Sequence, residues 1–127
     1  MIRLEVQGLF GYDQVDVQHK QFIDLLKSLN INLTDAEKAE RIVKELYLFT
    51  QYHFTSEENI MADHDYPLLS AHKKTHNKLT FDLRSKKALW KNREITTKQL
   101  LDFLVEWFID HTMYQDELFA KHIRNSM

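Results

Sequence analysis

Residues 42–60, IVKELYLFTQYHFTSEENI, repeat apolar and metal-binding side chains every three to four positions. The repeating positions are Ile42, Leu46, Phe49, His53, Glu57 and Ile60. Because an α-helix completes a turn in about 3.6 residues, these side chains lie on one face. A helix with a mainly apolar face buries that face against other elements. The stretch therefore predicts a long helix whose buried face carries His53 and Glu57.

Three other segments show the same spacing. The first has Phe22, Leu26 and Leu29 on one face with His19, the third has Leu69, His72, His76, Leu79 and Leu83, and the fourth has Leu100, Leu104, Trp107 and His111, widened by Leu101 and Phe108. The connections between the four segments are short, so consecutive helices are expected to be antiparallel neighbours. We predict an all-α fold, an antiparallel up-down-up-down four-helix bundle.

Breaks in the apolar spacing predict where the helices begin and end. The first helix is expected from Asp16, and residues 32–35 and 92–96 interrupt the pattern. Thr34 and Asp35 are both suitable N-caps for the second helix, since either side chain can accept a hydrogen bond from a backbone N–H. Pro67 suits the first turn of the third helix, where no backbone N–H is needed.

Length and composition limit the classes of protein. The 127 residues with two glycines and one proline suit one domain over 1–127, with an N-terminal arm at 1–15. A net charge of -2 with interspersed basic residues gives no nucleic-acid footprint. No signal peptide or membrane-spanning run is found, so we expect no membrane partner and a cytoplasmic location. Without cysteine, any metal must be held by nitrogen and oxygen ligands.

Metal-binding side chains occur on the inward face of every predicted helix. They are His19, the His53 and Glu57 pair, the His72 and His76 pair, and His111. One such pair is a weak signal, because a single histidine on an apolar face is often a hydrogen-bonded core residue. Several buried imidazoles and carboxylates in one core are costly unless a cation compensates them. Their convergence therefore predicts a metal site. These donors suit zinc and manganese as well as iron, so they do not identify the metal.

Asp116 requires a local change in the fourth helix. It lies five residues after His111, which places it about 140° away around a regular helix. A π-bulge would bring the two residues to the same side, so we predict a bulge or break between them. Asp116, Phe119 and Ile123 form a stripe shifted by one residue, which supports the bulge. The alternative is a straight helix with Asp116 facing solvent.

The motifs together resemble the hemerythrin family, in particular the bacterial hemerythrins. They are QHK at His19, HFxxEE from His53, YPxxxxHxxxH from Tyr66 to His76, and WxxxHxxxxD from Trp107 to Asp116. The likeness extends from about Asp13 to about Phe119 and fills seven ligand positions. It implies that His72, His76 and His111 bind one iron and that His19 and His53 bind another. Glu57, Asp116 and an oxo or hydroxo group would bridge the two irons.

Counting these implied ligands leaves one vacancy. Five imidazole nitrogens, four carboxylate oxygens and the two bonds of a bridging oxygen give eleven bonds, one fewer than two six-coordinate ions need. The vacancy falls on the iron with two histidines, where a diatomic ligand can bind.

The family resemblance also implies a dioxygen pocket around this vacancy. Its positions here are Phe22, Phe54, Trp107, Phe108 and Thr112. The aromatic residues are also explained by bundle packing alone. Thr112 departs from the expected aliphatic residue, and its hydroxyl can either hydrogen-bond a ligand or admit water. The family's N-terminal tryptophan is also missing, since the arm has only Ile2 and Leu4 at such positions.

The resemblance implies reversible dioxygen binding by a carrier, store or delivery protein without turnover. One alternative is an oxygen or redox sensor that acts through a separate protein partner. Another is a di-iron enzyme that reduces peroxide or nitric oxide. We expect a monomer or weak oligomer. Three residues that match no ligand position, His64, His122 and Glu58, are predicted to be ordinary surface residues.

Overall fold

The computed structural model describes residues 13–110, 118, 119, 121 and 122. It contains four helices: α1 (Asp13–Ile31), α2 (Ala36–Asp63), α3 (Leu69–Lys91) and α4 (Thr97–Asp110). Within these ranges the chain forms helices and turns but no strand, so the predicted all-α fold is confirmed. None of the helices in this described part has an apolar run long enough to cross a bilayer.

Each helix packs against two neighbours, in the order α1, α2, α3, α4 and back to α1. The contacts between α2 and α3 show their relative direction. Tyr47, early in α2, meets Arg84 late in α3, whereas Glu58, late in α2, meets His76 early in α3. These two helices are therefore antiparallel, and the short connections give the other consecutive pairs the same arrangement.

The helix ends differ from the sequence predictions at two places. α1 begins at Asp13, so the last three residues expected in the N-terminal arm are helical. Pro67 lies before α3 rather than in its first turn, because the chain is still turning there. Asp65 has a φ of 50°, and the Leu69 N–H donates to the Tyr66 carbonyl. The predicted breaks at 32–35 and 92–96 are confirmed.

Asp35 rather than Thr34 caps α2. Its Oδ1 accepts a hydrogen bond of 3.1 Å from the Lys38 N–H. We expect Asp35→Ala to lower the free energy of unfolding by about 1 kcal/mol, since a helix donor then lacks its partner. Urea unfolding measures the change, with the exposed neighbour Thr34→Ala as the matched control. Equal losses in the two variants would show that the cap contributes nothing specific.

The leucines of the main apolar core lie nearer the connections at 32–35 and 92–96 than the predicted ligands on α1, α2 and α3 do. Its most deeply buried leucines are Leu26, Leu29, Leu46, Leu100 and Leu104, each at most 1% exposed. Burying each such side chain stabilises the fold by about 1.5–3 kcal/mol. A smaller apolar cluster of Ile60, Met61, Tyr66 and Phe119 lies at the opposite end. Along α2 and α3, the predicted ligands lie between these two clusters, so apolar packing holds these helices on both sides of them.

Candidate metal centre

Five of the predicted metal ligands fall within the described residues, and all five are buried. They are His19 on α1, His53 and Glu57 on α2, and His72 and His76 on α3. They form two groups, each with ligand atoms within 4.8 Å of one another, and Glu57 belongs to both groups. We call these the α1–α2 group (His19, His53 and Glu57) and the α2–α3 group (Glu57, His72 and His76). Glu57 therefore lies between two positions that can each hold a cation.

The two carboxylate oxygens of Glu57 face different groups. Oε1 lies 2.8 Å from His72 Nε2 and 3.2 Å from His76 Nε2, whereas Oε2 lies 3.4 Å from His53 Nε2. Ligands at right angles around an ion, each about 2.1 Å from it, are separated by roughly 3 Å. The observed separations are close to this value. The geometry therefore fits a carboxylate that gives one oxygen to each of two metal ions.

Two of the imidazoles are held by hydrogen bonds on the side away from Glu57. His53 Nδ1–H donates to Gln18 Oε1 at 2.8 Å, and His76 Nδ1–H donates to Glu58 Oε2 at 2.7 Å. A neutral imidazole that keeps its proton on Nδ1 has the lone pair of Nε2 available for a metal ion beside Glu57. Histidines that bind metals typically have such a partner, which fixes the ring and its tautomer. These contacts support metal binding on grounds other than ligand spacing.

The expectation that Glu58 is an ordinary surface residue was wrong. Its side chain is 24% exposed and hydrogen-bonds His76. A residue that follows Glu57 is turned by about 100° around α2, and α3 lies on that side. Gln18 was missed for the same reason, since it precedes His19 on α1 and turns toward α2. The pairs Gln18–His19 and Glu57–Glu58 were visible in the sequence, but their partners lie on other helices.

His64 and His122 are also half-buried rather than fully at the surface. His122 Nε2–H donates to the His64 carbonyl at 3.2 Å, and the His122 ring lies 5.0 Å from the Tyr66 ring. Neither histidine belongs to the two ligand groups found among the described residues. Their contact links the chain around residue 122 to the turn between α2 and α3.

A small cavity adjoins the α1–α2 group. Its volume is about 10 Å³, which is room for roughly one water-sized molecule. Four residues of the predicted pocket line the cavity: Phe22, Phe54, Trp107 and Phe108. The rest of the lining consists of His19 and His53 of the α1–α2 group and of Gln18 and Thr50, which were not predicted. Two polar groups of the lining already have hydrogen-bond partners. Gln18 Oε1 accepts from His53, and the Thr50 hydroxyl donates to the Leu46 carbonyl.

Stacked aromatic rings line this cavity and reach the α2–α3 group. Phe22 stacks on Phe108 with ring centroids 4.8 Å apart, and Trp107 lies 5.9 Å from both Phe22 and Phe54. Phe54 stacks on the His76 ring at 3.9 Å. The same group of rings therefore lines the cavity and restricts the orientation of His76, a predicted metal ligand.

Three predicted site residues lie outside the described part of the chain. They are the ligands His111 and Asp116 and the pocket residue Thr112. The predicted helix bulge between His111 and Asp116 lies there as well.

The comparison with protein families identifies the fold and the type of centre. The model of the hemerythrin HHE cation binding domain matches residues 11–123. The chain belongs to the hemerythrin family. A bacteriohemerythrin of Stenotrophomonas maltophilia is 26% identical over 116 residues, which cover 90% of this chain and 76% of the relative. The Aquifex aeolicus bacteriohemerythrin is 28% identical over 114 residues, covering 86% and 87%.

Solved structures agree with this membership at the level of the fold. A crystal structure of a hemerythrin mutant matches with a TM-score of 0.77 and 23% identity, covering 86% of both chains. The chain is thus a hemerythrin-family non-haem iron domain. Its buried histidine and glutamate groups can hold the metal.

Proposed function

We propose that this hemerythrin-family chain binds dioxygen reversibly at a di-iron centre, as a carrier, store or delivery protein. The observation that carries the proposal is the position of Glu57. Its two oxygens face two separate histidine groups, and a small aromatic cavity adjoins one of those groups. This arrangement suits two neighbouring ions of which one has space for a small ligand.

The ligand assignment follows the two groups. His72 and His76, with His111, would hold one iron, and His19 and His53 would hold the other. Glu57 and Asp116, with an oxo or hydroxo group, would bridge them. When present, the iron pair supplies redox electrons and one open coordination position. Gln18 and Glu58 orient His53 and His76 through the hydrogen bonds at Nδ1.

The ligand count would leave the open position on the α1–α2 side, which is where the cavity lies. Phe22, Trp107 and Phe108 present apolar surface there and keep water and its protons away from the ligand. In the described part of the chain, the lining contains no titratable side chain besides His19 and His53. Reduction of peroxide or nitric oxide needs a proton donor beside the ligand, so the lining favours binding without turnover.

The reversibility of binding can be followed by visible spectroscopy. The protein is loaded with iron and reduced without air, then exposed to air and returned to inert gas several times. We expect a charge-transfer band to appear and disappear in every cycle, because the apolar lining of the cavity slows irreversible oxidation. His53→Ala should abolish the band, and the non-ligand variant His64→Ala should retain it.

Other outcomes would favour the other functions. One air exposure that converts the protein permanently to an oxidised form would contradict carriage and favour a sensor acting through a partner. Consumption of peroxide or nitric oxide over many turnovers would favour an enzyme. Size-exclusion chromatography tests our expectation of a monomer or weak oligomer, and cell fractionation tests the cytoplasmic location.

A further inference from the structure

The two hydrogen bonds behind the metal ligands differ in one chemical respect. Both start from an imidazole Nδ1–H and have almost the same length, 2.7 Å for His76 and 2.8 Å for His53. The acceptor of His76 is the carboxylate of Glu58, which carries a negative charge. The acceptor of His53 is the amide of Gln18, which is neutral and only 3% exposed.

This difference changes how strongly each imidazole donates electrons. A carboxylate draws the Nδ1 proton toward itself, and the opposite nitrogen becomes a more basic ligand. Hydrogen bonds to charged acceptors are about twice as strong as bonds between neutral groups. The Glu58 side chain is 24% exposed, so water weakens its field only in part. A more basic His76 stabilises a bound trivalent ion more than a bound divalent ion.

We infer that Glu58 and Gln18 make the two metal positions electronically unequal. Glu58, acting through His76, favours the higher charge state at the α2–α3 group, whereas Gln18 leaves His53 as a weaker donor at the α1–α2 group. The inference rests on the proposed di-iron function and adds two positioning residues to it. An ion at the α1–α2 group, beside the cavity, is then harder to oxidise permanently than an ion at the α2–α3 group. This difference favours reversible binding of dioxygen.

A purely mechanical role for Glu58 makes a different prediction. Orientation of the ring requires only an acceptor at the position of Oε2, and a glutamine provides one without charge. Glu58→Gln therefore removes the charge and keeps the hydrogen bond, whereas Glu58→Ala removes both. Asp63→Asn is the matched control, because it removes one negative charge from an exposed position near the end of the same helix.

The first measurement is cobalt(II) affinity, determined on the full chain by competition with a chelator. We expect Glu58→Gln to weaken binding of one of two cobalt ions by about tenfold, a typical effect of losing such a partner. Glu58→Ala should weaken it at least as much, and Asp63→Asn should leave both affinities unchanged. Circular dichroism of the metal-free variants establishes that each remains folded.

The second measurement is the reduction potential of the iron-loaded protein. If Glu58→Gln weakens iron(III) binding tenfold more than iron(II) binding, the potential rises by about 59 mV for one electron. A wild-type potential and wild-type cobalt affinities in Glu58→Gln, together with losses in Glu58→Ala, would overturn the inference and leave orientation alone. An equal shift in Asp63→Asn would overturn it too, as a general effect of surface charge.

These outcomes are separable from the oxygen experiment. Should wild type fail to bind dioxygen reversibly while Glu58→Gln still shifts one cobalt affinity and the potential, the proposed function fails and the inference stands. Should wild type bind dioxygen through repeated cycles while Glu58→Gln matches it in both measurements, the inference alone fails. A wild-type chain that binds fewer than two metal ions would overturn both.

Discussion

Glu57→Gln is expected to abolish the proposed two-metal centre. Glu57 is fully buried and gives one carboxylate oxygen to each histidine group. An amide of the same shape offers one oxygen and one N–H₂ group, and the N–H₂ group cannot bind a cation. The variant should therefore hold at most one weakly bound ion and show no charge-transfer band. Metal analysis after reconstitution and dialysis measures the loss.

The same substitution should also remove the stabilisation that metal gives to the fold. A ligand present at a thousand times its Kd stabilises the native state by about 4 kcal/mol. Wild type should therefore unfold at a clearly higher temperature with metal than without, and Glu57→Gln should not. Glu45→Gln is the control, since Glu45 is an exposed residue of the same helix. Two tightly held ions in Glu57→Gln would refute the bridging role.

Trp107→Ala is expected to have the largest combined effect on stability and on the cavity. The side chain is 7% exposed, packs near Phe22 and Phe54, and donates from Nε1 to the Leu79 carbonyl at 3.3 Å. Replacing a buried tryptophan by alanine costs about 3–5 kcal/mol. It also opens the wall of the cavity, so reduced protein in air should oxidise irreversibly at least about tenfold faster, a change of ~1.4 kcal/mol in the barrier.

Trp90→Ala separates the two effects of the Trp107 substitution. Trp90 is half-buried and donates from Nε1 to Thr97 at the opposite end of the bundle. Trp90→Ala should therefore lower the free energy of unfolding without changing the rate of irreversible oxidation. Chemical unfolding and the decay of the visible band in air measure the two quantities. If both variants oxidise at the same rate relative to wild type, general loosening of the bundle explains the result and the cavity wall does not.

Helical spacing predicted most of the fold, and it predicted that the described candidate ligands face inward. The inward-facing positions of α2, which include His53 and Glu57, repeat without interruption, and such a repeat is typical of a helix that buries one face. The same holds for His72 and His76 on α3. Spacing was informative because the helical period determines which residues share one face, and all these side chains lie on the inward face.

Partners between helices could not be predicted in the same way. Gln18 and Glu58 lie one position away from inward-facing residues, and on sequence alone such positions resemble the edge of a solvated face. Their roles depend on which neighbour packs on that side, which is a property of the assembled bundle. Pro67 was misplaced because the turn through Asp65 extends further than the proline rule assumes. The register of Asp116 stays a prediction.

The separation of the leucine-rich core from the histidines has a consequence for how the protein matures. Leu26, Leu46 and Leu104 join three of the four helices without help from any metal-binding residue. These leucines should consequently hold the helices together before any metal is bound, and metal binding should then add further stability. Purified metal-free protein should then take up metal faster than denatured chain that must first refold.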